Sequence, residues 1–163
     1  MIRVLTVFGT RPEAIKLAPV VRALEARPGD FASSVCVSAQ HREMLDQAMA
    51  VFDVQADFDL DLMRDSQSPA DVAGRLLSEM PRVLATAKPD FVLVQGDTMT
   101  TFAAALASHL ARVPVGHVEA GLRTGDRYRP FPEEMNRLLT TRLASLHFAP
   151  TERACDALVA EGI

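Results

Sequence analysis

The chain has 163 residues, 48% of them hydrophobic, with a mean hydropathy of +0.10, which excludes a disordered polypeptide and suits one domain with a substantial core. Its net charge of −4 and pI near 5.5 offer no basic field to nucleic acid. No apolar run reaches transmembrane length.

Ile2 to Phe8 is a β-branched run ended by Gly9, the pattern of a buried strand. Residues 12–26 read as a helix with Pro12 in its first turn, where a missing N–H costs nothing. Pro19 is expected to break or kink that helix. A second strand is predicted over 33–39 and a helix over 41–51. Asp57 to Leu62 alternates acidic and apolar residues, as a half-exposed strand does. Ser68 to Ala87 is a long amphipathic helix closed by Lys88-Pro89-Asp90. Phe91 to Gln95 is a central strand, and Thr98 is placed to cap the alanine-rich helix after it. Val113 to Val118 is the next strand, followed by a charged loop and a helix from about Pro132 to Leu143. Leu146 to Ala149 is a last short strand, and Thr151 caps a terminal helix.

Alternating β and α units imply a parallel sheet with right-handed crossovers, hence an α/β, doubly wound, Rossmann-like fold. No repeat or linker divides residues 1–163, which read as a single domain. The ending at Glu161-Gly162-Ile163 reads as the edge of a domain rather than the tail of a finished enzyme. Cys36 and Cys155 have no zinc-binding spacing and fit inert thiols in a reducing cytoplasm. The amino terminus enters a strand directly, without a basic segment and cleavage site.

In a parallel sheet, ligands sit beyond the carboxyl ends of the strands. The tips that would converge there are Gly9 to Glu13, Gln40-His41-Arg42, Gly96-Asp97-Thr98, and the segment from Glu119 to Arg137. The first tip sets a helix N-terminus beside Arg11 and Lys16, a combination that can hold phosphate. A plain βα turn with solvated charges is an equally good reading of it. Asp97 is either a turn residue or a carboxylate aimed into the cleft. Glu119, ending an apolar strand, must be paired or near water. His117 lies two residues earlier and is expected to share its face; a core hydrogen bond is the better reading of it than a metal pair. His147 and His109 are read as structural and His41 as a cleft residue. Glu133 and Glu134 open a helix, where acids suit the dipole whatever their role.

The blocks VLTVFGTRPEAIKLAPVVRAL, AQHREMLDQ, VLVQGDTMTTFAAALA, VPVGHVEAGLRTGDRYRPFPEEMNR and LHFAPTERA, in this order, resemble the non-hydrolysing UDP-N-acetylglucosamine 2-epimerases over essentially the whole chain. The resemblance implies the N-terminal half of a glycosyltransferase-B-type fold, with the family's C-terminal UDP-binding domain absent from this sequence. It implies interconversion of UDP-N-acetylglucosamine and UDP-N-acetylmannosamine, by elimination and re-addition of UDP. It implies a cytoplasmic homodimer with no metal or redox cofactor, acting in polysaccharide biosynthesis. UDP-N-acetylglucosamine is implied both as substrate and as activator.

By matching position, Asp97, Glu119 and Glu133 correspond to the family's catalytic carboxylates. Arg11, Lys16 and Arg137 correspond to substrate-binding cations, and Gln40, His41 and Glu43 to the effector-binding segment. With half a cleft, the isolated chain is expected to be inactive or nearly so. The competing readings are a hydrolysing relative and a stand-alone nucleotide-sugar-binding or dimerisation module. A nicotinamide-dependent enzyme is the weakest rival, for want of the glycine fingerprint.

Overall fold

The computed structural model describes residues 1–39, 42–62, 64 and 66–163. The elements run β1 (Ile2–Phe8), α1 (Arg11–Glu25), β2 (Phe31–Val37), α2 (Arg42–Val51), β3 (Phe58–Asp59), α3 (Pro69–Ala87), β4 (Phe91–Gln95), α4 (Met99–Leu110), β5 (Val115–Val118), α5 (Glu133–Leu143), β6 (Leu146–Phe148) and α6 (Glu152–Ala160). The six strands form one parallel sheet in the order β3-β2-β1-β4-β5-β6. From β1 the chain winds outward through β2 and β3, then returns to β4 and winds the other way. The switch of direction opens a crevice between the tips of β1 and β4.

Strand alternation distributes the core to both faces of the sheet. Leu5 and Val7 of β1, Cys36 of β2, and Val92 and Val94 of β4 pack with Leu76, Met80 and Val83 of α3 and the alanines of α4. Phe8, Val35 and Val37 point the other way, onto Leu17 and Val21 of α1 and Leu45 of α2. The alanine run of α4 lets the helix lie close to the sheet, and Ala103, Ala104 and Ala105 are fully buried. Burial pushes the Cys36 thiol up to about 12, so it stays protonated in the core.

Sequence and structure agree on every element, with differences at the edges. Helix α1 runs unbroken through Pro19. Pro19 and Ile15, whose carbonyl would have received the missing N–H, are exposed, while Leu17, Ala18 and Val21 anchor the other face. Packing of that face outweighs the local penalty. Strand β3 is two residues long rather than six. The Asp57 carboxylate takes the Val35 N–H at 2.8 Å, and Asp61 turns the chain away with φ of 44°. Strand β5 starts at Val115 because Val113 closes the end of α4, donating to the Ser108 carbonyl at 2.9 Å. Thr98 and Thr151 cap α4 and α6 as expected, and Ser68, read as the first residue of α3, is its N-cap instead; each accepts a backbone N–H. Among the described residues, no helix is long and apolar enough to cross a membrane.

Candidate active site

The crevice between β1 and β4 is built around a buried carboxylate. Glu13, on the first turn of α1, is 3% exposed. Its Oε2 accepts the N–H groups of Gly9 and Thr10, each at 2.8 Å, and its Oε1 accepts the Thr98 hydroxyl at 2.6 Å. The Thr101 hydroxyl stands 3.0 Å from the same Oε1. One side chain thereby locks the tip of β1 to the cap of α4.

Above this strut lies an ion pair. Lys16 reaches across from α1 and donates to both carboxylate oxygens of Glu119, at 2.8 and 2.6 Å. The Gln95 amide at the end of β4 donates to Glu119 Oε2. Strand β5 ends at Val118, and Glu119 itself has φ of 65°. That left-handed turn takes Glu119 out of the strand's regular alternation, so the two-residue spacing to His117 no longer sets its direction. Gly121, two residues on, has φ of 89°, and a Cβ there would meet the Ala154 carbonyl oxygen at 2.2 Å. Only glycine lets the chain turn this close to α6.

His117 is fully buried, and its Nε2 donates to the Gly96 carbonyl at 2.7 Å, which leaves Nδ1 unprotonated and without a partner among the described residues. It is therefore a core hydrogen-bonding group, as the sequence suggested. Burial lowers its pKa from 6.5 to about 4. The ring stays neutral in the folded chain where the unfolded chain protonates, so the stability it contributes is full above pH 6.5 and is lost as pH falls towards 4. Urea denaturation should register about 2 kcal/mol less stability at pH 5 than at pH 6.5. His117→Gln, which can still donate to Gly96, should flatten that slope.

The other wall comes from α5. Arg137 is 9% exposed, and its Nε and Nη2 both lie 2.9 Å from Asp97 Oδ2. Its Nη1 donates at 2.8 Å to Glu134, which is 1% exposed. Asn136 donates to the Asp97 backbone carbonyl at 2.8 Å. Glu134 Oε1 accepts the N–H groups of Thr124 and Gly125, at 3.0 and 3.1 Å. The charged loop is pinned further by Arg123, which grips Glu161 at 2.7 Å and the Thr141 hydroxyl at 3.0 Å.

Two cavities open onto this edge. A smaller one of about 190 Å³ is lined by Lys16, Gln95, Asp97, Glu119 and Arg137. A larger one of about 460 Å³ is lined by Asp97, Glu133, Asn136, Arg64 and Gln67. Asp97, Thr10 and Thr98 border both. The structure thus brings Asp97 and Glu119 to one cavity and Glu133 to the adjoining one. The Glu133 Oε2 atom is buried and has no hydrogen-bond partner among the described residues.

Arg11 is exposed at the start of α1 and borders a shallow cavity with Ile15, Lys16 and Met44. Glu43 is exposed in the first turn of α2. Gln40 and His41 lie outside the described residues. Asp126 and Arg129 pair loosely at 3.8 Å on the surface, as a solvated loop tip does. His147 has a structural bond to the Thr141 carbonyl at 2.9 Å, whereas His109, expected to be structural, is exposed in the last turn of α4.

Sequence reasoning missed Glu13, Gln95 and the inward turn of Glu134. The signal for Glu134 was its i,i+3 spacing to Arg137, which puts the two on one helix face. For Glu13 it was the Thr10-x-x-Glu13 capping pattern.

The family model described as UDP-N-acetylglucosamine 2-epimerase matches residues 22–163. UDP-N-acetylglucosamine 2-epimerase from Yersinia pestis is 57% identical over 161 residues, which are 99% of this chain and 43% of that protein. The crystal structure of UDP-GlcNAc 2-epimerase from Neisseria meningitidis bound to UDP-GlcNAc superposes with a TM-score of 0.95 at 53% identity, covering 99% of this chain and 43% of that one. A Streptomyces glycosyltransferase complexed with thymidine diphosphate shares the fold alone, with a TM-score of 0.58 at 14% identity over 88% of this chain. The chain therefore spans less than half the length of the curated relatives it matches.

Proposed function

Because the chain belongs to the UDP-N-acetylglucosamine 2-epimerase family, we propose that it forms one wall of the active site of an enzyme interconverting UDP-N-acetylglucosamine and UDP-N-acetylmannosamine. The observation that carries the proposal is the convergence of Asp97 and Glu119, with Lys16 and Arg137, on one cavity at the switch point of the sheet. The hydrogen at sugar C2 is not adjacent to a carbonyl, so removing it alone leaves no stabilised anion. Loss of UDP from C1 solves this. A carboxylate takes the C2 proton, its electron pair forms the C1–C2 double bond, and the C1–oxygen bond breaks towards the diphosphate. A second acidic group returns a proton to the other face of C2, and the diphosphate oxygen re-attacks C1.

Such a reaction needs two proton-transfer groups and cations at the leaving oxygens. We assign the first role to two of Asp97, Glu119 and Glu133, and the second to Arg11 and Lys16. A diphosphate at the β1 tip competes with Glu119 for the Lys16 ammonium, so substrate arrival is coupled to release of the carboxylate. Arg137, already committed to Asp97 and Glu134, is better suited to holding Asp97 than to gripping phosphate. The cytoplasmic homodimer, and activation by a second nucleotide sugar near Glu43, belong to the same proposal.

The test is to supply UDP-N-acetylglucosamine in heavy water to the full-length enzyme and to the 163-residue chain. The full-length enzyme should release UDP-N-acetylmannosamine carrying deuterium at C2, and the short chain should turn over negligibly. Free N-acetylmannosamine with UDP would favour the hydrolysing reading instead. Robust turnover by the short chain would refute the need for a second wall.

A further inference from the structure

Resting on that functional reading, the geometry points to Glu134 as a positioning residue that aims the Asp97 carboxylate by clamping Arg137. The Arg137 guanidinium is held at two ends. Asp97 Oδ2 receives Nε and Nη2, while Glu134 Oε2 receives Nη1. Because the fork is planar and rigid, fixing one end sets the direction of the other. Asp97 Oδ1 is left without a protein partner among the described residues, on a side chain that borders both cavities. Arg137 takes one oxygen of Asp97 and leaves the other to face substrate.

A pair this buried does not need a stability explanation, since apolar side chains of similar volume would hold the helix about as well. What apolar packing would not supply is orientation. Asn136 holds the Asp97 main chain from the same helix, so α5 fixes both the backbone and the side chain of that residue. The other oxygen of Glu134 ties down the loop at Thr124 and Gly125, a few residues beyond Glu119. One buried carboxylate therefore sets the register between Asp97 and Glu119, two of the three candidate proton-transfer groups.

Steady-state kinetics of the full-length enzyme test this. Glu134→Gln keeps an acceptor for the two loop N–H groups and removes the charge that holds Arg137. It should lower kcat by about 10- to 100-fold through misplacement of Asp97, with KM within about threefold of wild type. Arg137→Lys should do the same, and the double variant should lose little more than either single one, because both act on the same group. Met80→Ala, in the core away from the crevice, controls for lost stability and should keep kcat at matched loss of Tm.

If Glu134→Gln does not fold, the decision passes to Glu134→Asp, whose shorter side chain cannot span Arg137 and the loop together; it too should lose kcat with KM retained. Retained kcat in the folded variant, or fully additive losses with Arg137→Lys, would overturn the inference. Absence of epimerisation by the wild-type enzyme would overturn the functional reading itself, so the two failures are distinguishable.

Discussion

Glu119→Gln is expected to lower kcat of the full-length enzyme by about two to four orders of magnitude while leaving KM for the nucleotide sugar within a few fold. Gln has nearly the same shape and can still accept from Gln95 and Lys16, so the loss would reflect proton transfer and not a collapsed site. The prediction does not depend on which face of C2 Glu119 serves. The group that removes a proton from one face in the forward direction returns it to that face in the reverse. Turnover must therefore fall in both directions, and wash-in of solvent deuterium at C2 must fall with it. A variant that retains wild-type exchange would assign the proton to other carboxylates, with Asp97 and Glu133 the remaining candidates. The Lys16 pair adds a second reading of the same experiment. If diphosphate binding draws Lys16 from Glu119, Lys16→Ala should raise KM more than it lowers kcat.

Glu13→Ala is expected to be the most damaging change to stability, at about 3 kcal/mol or more. It would leave the N–H groups of Gly9 and Thr10 and the hydroxyl of Thr98 without their acceptor inside a buried crevice. Each stranded donor carries the cost of desolvation without return. Glu13→Gln should cost much less. Its amide oxygen can serve the two backbone N–H groups, while its NH2 donates to the threonine hydroxyls, which can rotate to accept. Urea denaturation of the 163-residue chain measures both, and an Ala variant as stable as the Gln variant would remove the strut from the account.

Much of this fold was legible in the chain. The β-branched run at Ile2–Phe8, the Thr98 and Thr151 caps and the Lys88-Pro89-Asp90 stop after α3 are local signals, set by backbone sterics and hydrogen bonding within a few residues. So was the clustering of Asp97 and the acids after Val118 at strand ends, because alternation of β and α units brings those ends to one edge. What the local signals missed were cases where packing overrules them. Pro19 sits inside α1 because a buried face holds the helix, and β3 is short because Asp57 and Asp61 spend their side chains and torsions on other tasks.

The sequence by itself determined the order of elements, the parallel doubly wound architecture, the family, and that the tips carrying Asp97 and Glu119 lie at one edge of the sheet. Only the tertiary structure decided how those charges pair. Lys16 meets Glu119 across 103 positions, Thr98 meets Glu13 across 85, and Arg137 meets Asp97 across 40. None of these pairings can be read from spacing, since the first two depend on β1 and β4 lying side by side at the switch point and the third on α5 packing beside α4. Nor could composition say that Glu134 turns inward while Glu133 borders the larger cavity. Adjacent residues on a helix point about 100° apart, and the packing of α5 against its neighbours chooses which of them becomes the buried clamp and which lines the cavity.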